Sequence, residues 1–524
     1  MLQMLRFAVL LVVCSDATDT GYASYKRDKE NRTSSRAHAH GAGFVVAAES
    51  KVTLASQALR GHTQKKSGKD NSSSEEHPIK LPSIHFIADY VDMAAKQINT
   101  ELAYIPARSY LHIVTNSSPI HIQMAGLAAW AYDLEYLKMM YPNGWAGGWK
   151  LVAEYVNTTH SLMVDGHDVV ALMAKGKSCV ITFSGTHGLA DWSTNLNVGT
   201  SSLPQCGVHG VHEGFFEAFL QFMLNDAWTT AFEPYLAENC SEGIHITGHS
   251  QGAAVGAVFA ACINGAGSNL TLPDLWRFGK LVHAGATVKT RLNVTDLHGI
   301  GGPGVSTTQF WNYKRPDGVF PGTRFFNQDA VSFDPVPWLS SSLGLTHPKS
   351  EAVKMAERPQ RFSALTEEAK HEPRTVSFVP DIMVHLPPEY LRRIIMASRS
   401  LYVKVAYAQG LPERSARPFL SSKPSFYASV EAANRKWSHI PRTSTKKNMV
   451  ESAWAENLDL KEYELGDDLE IKLWDAVWPW GVDRDLGTAK LRSQTFEPHG
   501  FEGWVPTESG IRLKLSVVIS YDVL

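Results

Sequence analysis

Apolar positions recur with two different periods along the chain, and the change of period divides it. From about Asp16 to His77 the sequence is rich in Ser, Lys, Asn and Gly with few apolar residues to offset ordering entropy, so it reads as disordered or as a pro-segment. Ile84–Leu102 reads as a helix. Ile122–Met139 reads as one strongly apolar helix, with Ala125, Gly126, Ala128, Ala129 and Ala131 permitting close packing. Trp149–Val156, Ser161–Val164 and Asp168–Met173 alternate like strands, and Cys179–Phe183 is a compact apolar strand. Val211–Phe219 leads into a helix. Ile244 and Ile246, β-branched between polar neighbours, mark a short strand, and Gln251–Ile263 is apolar all round, as a buried helix is. Leu281–Ala286 reads as the next strand, Asn293–Thr323 as a Gly/Pro-rich surface insertion, and Arg324–Asn327 as a further short strand. Strands alternating with helices predict a mostly parallel sheet with helices on both faces. From about Leu401 the pattern changes to short strands separated by turns: Leu401–Ala408, Ser425–Ala432, Leu469–Trp474, Thr488–Leu491 and Ile511–Tyr521. That pattern predicts an antiparallel β-sandwich.

Composition narrows the setting. With 44% apolar and 19% charged residues and a formal net charge of −2, the 524-residue chain can bury a sizeable core. Nothing in that balance points to a nucleic-acid partner. Met1–Arg6 carries one positive charge before the apolar run Phe7–Cys14, which is far shorter than the ~20 residues of a membrane span. Small residues follow at Ser15, Ala17, Gly21 and Ala23, so residues 1–23 read as a secretory signal peptide. Glycosylation sequons at Asn31, Asn71, Asn116, Asn157, Asn239, Asn269 and Asn293 agree with export. Without Cys14, the remaining Cys179, Cys206, Cys240 and Cys262 suit two disulfides in an oxidising compartment, with three pairings open. His38, His40, His209 and His212 lack the further ligands a metal site needs.

The chemistry concentrates at Gly248-His249-Ser250-Gln251-Gly252, a G-x-S-x-G pentapeptide between the expected strand and buried helix. A Ser on so sharp a strand-to-helix turn needs Gly on both sides, because side chains there collide with strand and helix. The helix then aims its first N–H groups at developing negative charge. By itself the pentapeptide also fits a structural Gly-rich turn. A Ser nucleophile requires a base and a carboxylate that orients it. Downstream lie Asp329 and Asp334, then His347 and His385, in the order Ser–Asp–His of α/β-hydrolases. Upstream, Ser184-Gly185-Thr186 ends a strand where an oxyanion hole is built.

Over about Ile84–Ser400 these residues resemble the class 3 (fungal-type) lipase family of α/β-hydrolases. Phe183-Ser184-Gly185-Thr186 with Asp191-Trp192, Val211-His212-Glu213-Gly214-Phe215, Thr247–Gly252, Asp334-Pro335-Val336-Pro337 and Asp381–Tyr390 stand in the family's order. The resemblance implies Ser250 as nucleophile, Asp334 as orienting acid and His385 as general base. It implies that the backbone N–H groups of Thr186 and Gln251, with the Thr186 hydroxyl, hold the oxyanion. Gly248, His249 and Gly252 form the elbow, and His187–Asn197 occupies the lid position. His347 matches a non-catalytic His and is second choice for the base. Asp329, which begins a second D-x-V pattern (Asp329-Ala330-Val331), is second choice for the acid. Ser184 departs from the usual Arg, which removes a structural cation.

From Leu401 the chain resembles a C2 domain, through Leu401–Leu411, Trp454-Ala455-Glu456 and Leu473-Trp474-Asp475 with Asp485-Leu486-Gly487. The first loop, Pro412–Ser425, has no Asp, and Val477 stands where another loop Asp is expected. Asp475, Asp483 and Asp485 alone are too few for the six to eight oxygens of calcium. No cofactor is therefore expected, with calcium at the C2-like loops as the alternative. Trp478 and Trp480 at the loop tip suit a membrane interface, or packing against the hydrolase region.

The expected organisation is residues 1–23 signal peptide, 24–82 disordered or pro-segment, 83–400 α/β-hydrolase and 401–524 C2-like β-sandwich. The expected function is a secreted serine lipase or esterase acting on glycerolipids at a membrane or lipid-droplet surface. A phospholipase A1 or diacylglycerol lipase on the same triad, and a non-catalytic lipid-binding protein, are the alternatives. The sequence leaves the oligomeric state open.

Overall fold

The computed structural model describes residues 110–521 apart from 147, 161–164, 186–198, 266–268, 272–274, 278–279, 284–286, 290–291, 310, 329–331, 335, 338–339, 341–343, 356–378, 381, 413–424, 435, 448–451 and 477–481. The expected leader, the Ile84–Leu102 helix and the Ser161–Val164 strand lie outside the described residues. Two compact units divide the chain: Leu127–Val353 with Arg374–Pro387, and Pro388–Leu524 with Ala107–Gly126 and Lys354–Pro373.

The first unit is built on a seven-stranded sheet in the order β1 (Lys150–His160), β2 (Asp165–Lys175), β3 (Ser178–Phe183), β4 (Gly243–His249), β5 (Val294–Ile300), β6 (Phe320–Asn327) and β7 (Ser350–Met355). β1–β2 and β2–β3 pair antiparallel, whereas β3–β4, β4–β5 and β5–β6 pair parallel. The expected Ile122–Met139 helix is instead two, α1 (Ile120–Trp130) and α2 (Leu134–Met140). The chain turns at Ala131–Asp133, where the Asp133 carbonyl accepts from Leu137 N–H and starts α2. Helix α3 (Glu213–Met223) begins at His212, whose Nδ1 accepts from Gly214 N–H at 3.3 Å. His212 is thus a helix cap, and burial pushes its pKa down to about 4.

Helix α4 (Gln251–Gly265) is buried from Gln251 to Asn264, as its all-round apolar sequence requires. Its far end is fixed twice. Asn264 both accepts from Val294 N–H (2.9 Å) and donates to Val294 O (3.0 Å) at the start of β5. Cys262 is bonded to Cys206, while Cys179 at the start of β3 is bonded to Cys240. One of the three pairings is thereby selected.

The strand after α4 departs from expectation. Lys280–His283 pairs with Leu275–Arg277 in a separate two-stranded piece. The next strand of the main sheet is β5, inside the stretch read as a surface insertion. The pairing register slips between Val294 and Asp296, so the buried residues fall at Val294, Leu297, His298 and Ile300. That spacing is neither an alternation nor an apolar run, and a polar strand at the centre of the sheet passes for a loop.

The second unit is a sandwich of two antiparallel four-stranded sheets. One runs β11–β8–β15–β14 and the other β10–β9–β12–β13, from β8 (Arg399–Gln409), β9 (Ser425–Ala432), β10 (Lys446–Lys447), β11 (Ser452–Asp459), β12 (Leu469–Asp475), β13 (Arg484–Leu491), β14 (Phe501–Pro506) and β15 (Arg512–Tyr521). Alternate residues Val403, Val405, Ile471, Leu473, Leu513 and Leu515 face inward and are fully buried. Trp454 joins this core, and the next residue, Ala455, holds a left-handed backbone at φ 52°.

Candidate active site

The carboxyl ends of the parallel strands converge on Ser250. The chain leaves β4 at His249 and enters α4 at Gln251, so Ser250 alone makes the turn, at φ 55°. A non-Gly residue with positive φ is uncommon and costs of order 1–3 kcal/mol, held here by its surroundings. Ser250 N–H donates to Ile300 O at the end of β5 (2.9 Å), and Ala253 N–H closes the first helical turn on Ser250 O (3.0 Å). A Cβ on Gly248 would lie 2.5 Å from the Gly252 carbonyl carbon, and one on Gly252 would lie 2.2 Å from Phe183 O. Both glycines of the pentapeptide are therefore sterically required. Gln251 N–H is at the start of α4, where the helix dipole favours negative charge.

His385, at the end of a short 3-10 turn (Ile382–His385), places Nε2 2.9 Å from Ser250 Oγ and Nδ1 2.8 Å from Asp334 Oδ2. A carboxylate can only accept, so His385 Nδ1 carries the proton and Nε2 offers its lone pair to the Ser250 hydroxyl. All three residues are buried. Asp334 Oδ1 accepts from Val336 N–H (2.8 Å), which leaves Oδ2 for the histidine. The structure brings Asp334 to His385; the alternative, Asp329, lies outside the described residues. His347 sits elsewhere, lining a small cleft with Arg324, Ala253 and Ala257. Burial first, and Arg324 second, push its pKa well below the usual imidazole value.

Tyr132 and Asn327, which no sequence pattern marked, support this arrangement together with Ser184. Tyr132, in the turn between α1 and α2, meets His249 Nδ1 at 2.8 Å. Asn327, the last residue of β6, accepts from Asp334 N–H at its backbone carbonyl (2.9 Å) and donates from Nδ2 to Val384 O. It thus ties the acid loop to the base loop. Ser184 fits where the resemblance expects Arg: its Oγ accepts from Val169 N–H at 2.8 Å, extending the β2–β3 ladder with its side chain. An Asn ending a strand and a Tyr in an apolar helix carry no sequence signal of their own.

Thr186, the lid segment, Trp478 and Trp480 lie outside the described residues. In the C2 region Asp483 Oδ2 accepts from Tyr427 OH (2.8 Å) and Asp485 Oδ1 accepts from Gly487 N–H (2.7 Å). Among the described residues no group of three or more His, Cys, Asp and Glu side chains could hold a metal ion. None of the described helices is long and apolar enough to cross a membrane.

Residues 180–321 match the family model for lipase (class 3), and residues 399–507 match that for the C2 domain. A comparison with curated proteins returned no match. Among solved structures, lipase II from Rhizopus niveus is 22% identical over 47% of this chain and 81% of its own, with a TM-score of 0.32. A C2 domain of plant extended synaptotagmin 1 is 19% identical over 24% of this chain and 95% of its own, with a TM-score of 0.20. Residues 180–321 are thus similar to the class 3 lipases, a family of carboxylic ester hydrolases, and residues 399–507 to C2 domains.

Proposed function

We propose that the protein is a secreted serine lipase that hydrolyses acyl esters of glycerolipids through Ser250, His385 and Asp334. The observation that carries this reading is the hydrogen-bonded series Ser250–His385–Asp334 at 2.9 and 2.8 Å, with its serine on a left-handed turn at a helix start. His385 Nε2 takes the Ser250 proton as Oγ bonds to the ester carbonyl carbon. The carbonyl oxygen becomes an oxyanion facing the start of α4, where Gln251 N–H is the donor and Thr186 the partner that the family resemblance implies. The oxyanion collapses, His385 returns the proton to the departing alcohol, and the acyl group stays on Ser250. Water, deprotonated by His385, then releases the fatty acid by the same route. Asp334 keeps the proton on Nδ1 throughout and stabilises the imidazolium.

Export is supported by the leader-like N-terminus, by the two disulfides and by the exposure of sequon residues Asn116, Asn239 and Asn293. The C2 domain is proposed to hold the enzyme at a lipid surface, a role for which Trp478 and Trp480 are the sequence candidates. The decisive experiment is labelling with a fluorophosphonate alongside hydrolysis of triacylglycerol, diacylglycerol and phosphatidylcholine in micelles. The expected result is stoichiometric labelling and ester hydrolysis, both lost in Ser250→Ala. Turnover that survives this substitution overturns the triad. Absence of labelling in the folded parent protein favours a non-catalytic lipid-binding role, and the preferred lipid separates a triacylglycerol lipase from a phospholipase A1 or diacylglycerol lipase.

A further inference from the structure

His249 stands beside the nucleophile, buried at 2% exposure, and its ring is engaged on three sides. Nε2 lies 2.6 Å from the backbone carbonyl of His385 and Nδ1 lies 2.8 Å from Tyr132 OH. The ring itself packs against the His385 imidazole, with centroids 4.7 Å apart. These contacts fix its chemistry. A carbonyl can only accept, so Nε2 carries the proton, Nδ1 is an acceptor, and the Tyr132 hydroxyl donates to it. Tyr132 therefore selects the tautomer of His249 that donates to the base loop.

We infer that His249 is a positioning residue for the His385 base, holding its backbone carbonyl while presenting a neutral ring to the imidazole that takes up the proton. The inference rests on the Ser250–His385–Asp334 reading above. The base loop is gripped at two successive carbonyls: Val384 O by Asn327 Nδ2, from the end of β6, and His385 O by His249 Nε2, from the end of β4. Both donors sit on strands of the rigid sheet, so the short turn that carries the base inherits their precision. A misplacement of about 1 Å in a reacting group costs on the order of 10²-fold in rate. The neutral ring matters as much as the bond. His385 becomes an imidazolium during acyl transfer, and a second cation 4.7 Å away would oppose that charge. Burial, and then His385 itself, keep His249 well below the usual imidazole value, which agrees with the tautomer derived from its partners.

The test uses the full chain, with active sites counted by fluorophosphonate titration so that misfolded protein drops out of kcat. His249→Phe keeps a ring but loses the donor. It is expected to lower kcat per titrated site by about 10- to 100-fold with KM changed less than about twofold. His249→Gln, whose amide N–H reaches toward the same carbonyl, is expected to recover activity to within about fivefold of the parent. Parental kcat per titrated site in His249→Phe, or equal loss in the Phe and Gln variants, overturns the inference. Should His249→Phe fail to fold, Tyr132→Phe removes only the hydroxyl that selects the tautomer. An expected drop of about three- to tenfold in kcat supports the role, and an unchanged kcat overturns it. A Ser250→Ala variant that still turns over ester defeats the triad itself. An inactive Ser250→Ala with a parental His249→Phe defeats only the role of His249.

Discussion

The parallel part of the sheet has a Ser–His–Asp series near each of its ends. At the carboxyl end stand Ser250, His385 and Asp334. At the amino end Ser178 Oγ meets His245 Nε2 at 3.0 Å, and His245 Nδ1 meets Asp296 Oδ2 at 2.6 Å. The tautomer logic is identical, because Asp296 accepts from Nδ1 and leaves Nε2 to the serine. Burial works against ionisation of Asp296, but the hydrogen bond and charge of His245 outweigh it and hold the pKa low. Distances do not separate the two series. Backbone does. Ser178 is the first residue of an ordinary strand, in register with Gly243 on one side and Lys175 on the other. Ser250 is turned out of the sheet at φ 55° with an unfinished helix start beside it. One end therefore presents the proposed nucleophile at a helix start, and the other presents a polar knot that joins β3, β4 and β5. In open α/β sheets it is the carboxyl ends of the strands that hold ligands.

The largest test of that contrast is a pair of alanine substitutions. Ser250→Ala is expected to lower kcat by about 10⁶-fold, the scale on which a triad nucleophile acts. Ser178→Ala should leave kcat within about twofold and lower the unfolding free energy by about 1 kcal/mol, measured in urea. A large loss of turnover in Ser178→Ala would break the contrast. Next comes the acid of each series. Asp334→Asn should cost about 10⁴ in kcat through the wrong histidine tautomer. Asp296→Asn should spare turnover and cost about 1–2 kcal/mol of stability.

How much of this was readable from residues alone differs between the ends. The upper site was legible because steric demand writes itself into sequence. Gly248 and Gly252 are glycines since any Cβ would strike backbone, and Asp334 and His385 follow in hydrolase order. The lower end was not legible, because β5 breaks both periodic templates. Its register slip and its polar Thr295, Asp296 and His298 made a central strand look like a loop. The break between α1 and α2 was hidden for the opposite reason. Ala131 and Tyr132 continue an apolar helical pattern, and only the tertiary contact from Tyr132 to His249 shows why the chain turns there. Asn327 is a residue whose role exists only once acid and base loops are brought to it.

A third prediction concerns pH. His298, beside Asp296, is fully buried, and neither ring nitrogen has a hydrogen-bond partner among the described residues. Burial pushes its pKa down to about 4, as it does for His212. A histidine depressed on folding takes up its proton more readily when unfolded. Its contribution is complete above about pH 6.5 and erodes as pH falls from 6.5 toward 4. By pH 5 each of the two should cost about 2 kcal/mol, seen as a fall in melting temperature from pH 7.5 to pH 5. His212→Asn, which keeps a cap, should flatten that fall, and an unchanged slope would remove His212 from the account.

The smallest test isolates the left-handed backbone. Ala455 shares it with Ser250, at φ 52°, but aims no reacting group. Ala455→Asn should raise the unfolding free energy by about 0.5–1 kcal/mol, because Asn tolerates this region better than Ala. No gain would mean that the strand, rather than the residue, sets that conformation's cost.

The two disulfides give the hydrolase unit a topology of its own. Cys179–Cys240 and Cys206–Cys262 close spans of 61 and 56 residues that overlap between Cys206 and Cys240, so two covalent rings interlock in sequence. The Ser250 turn lies inside the second ring, between Cys206 and the helix anchor Cys262. Rings of this size each remove on the order of 4 kcal/mol of chain entropy from the unfolded state. Even in denaturant, then, the oxidised chain keeps the segments around Ser250 within reach of one another, whereas Asp334 and His385 must be gathered from outside the loops.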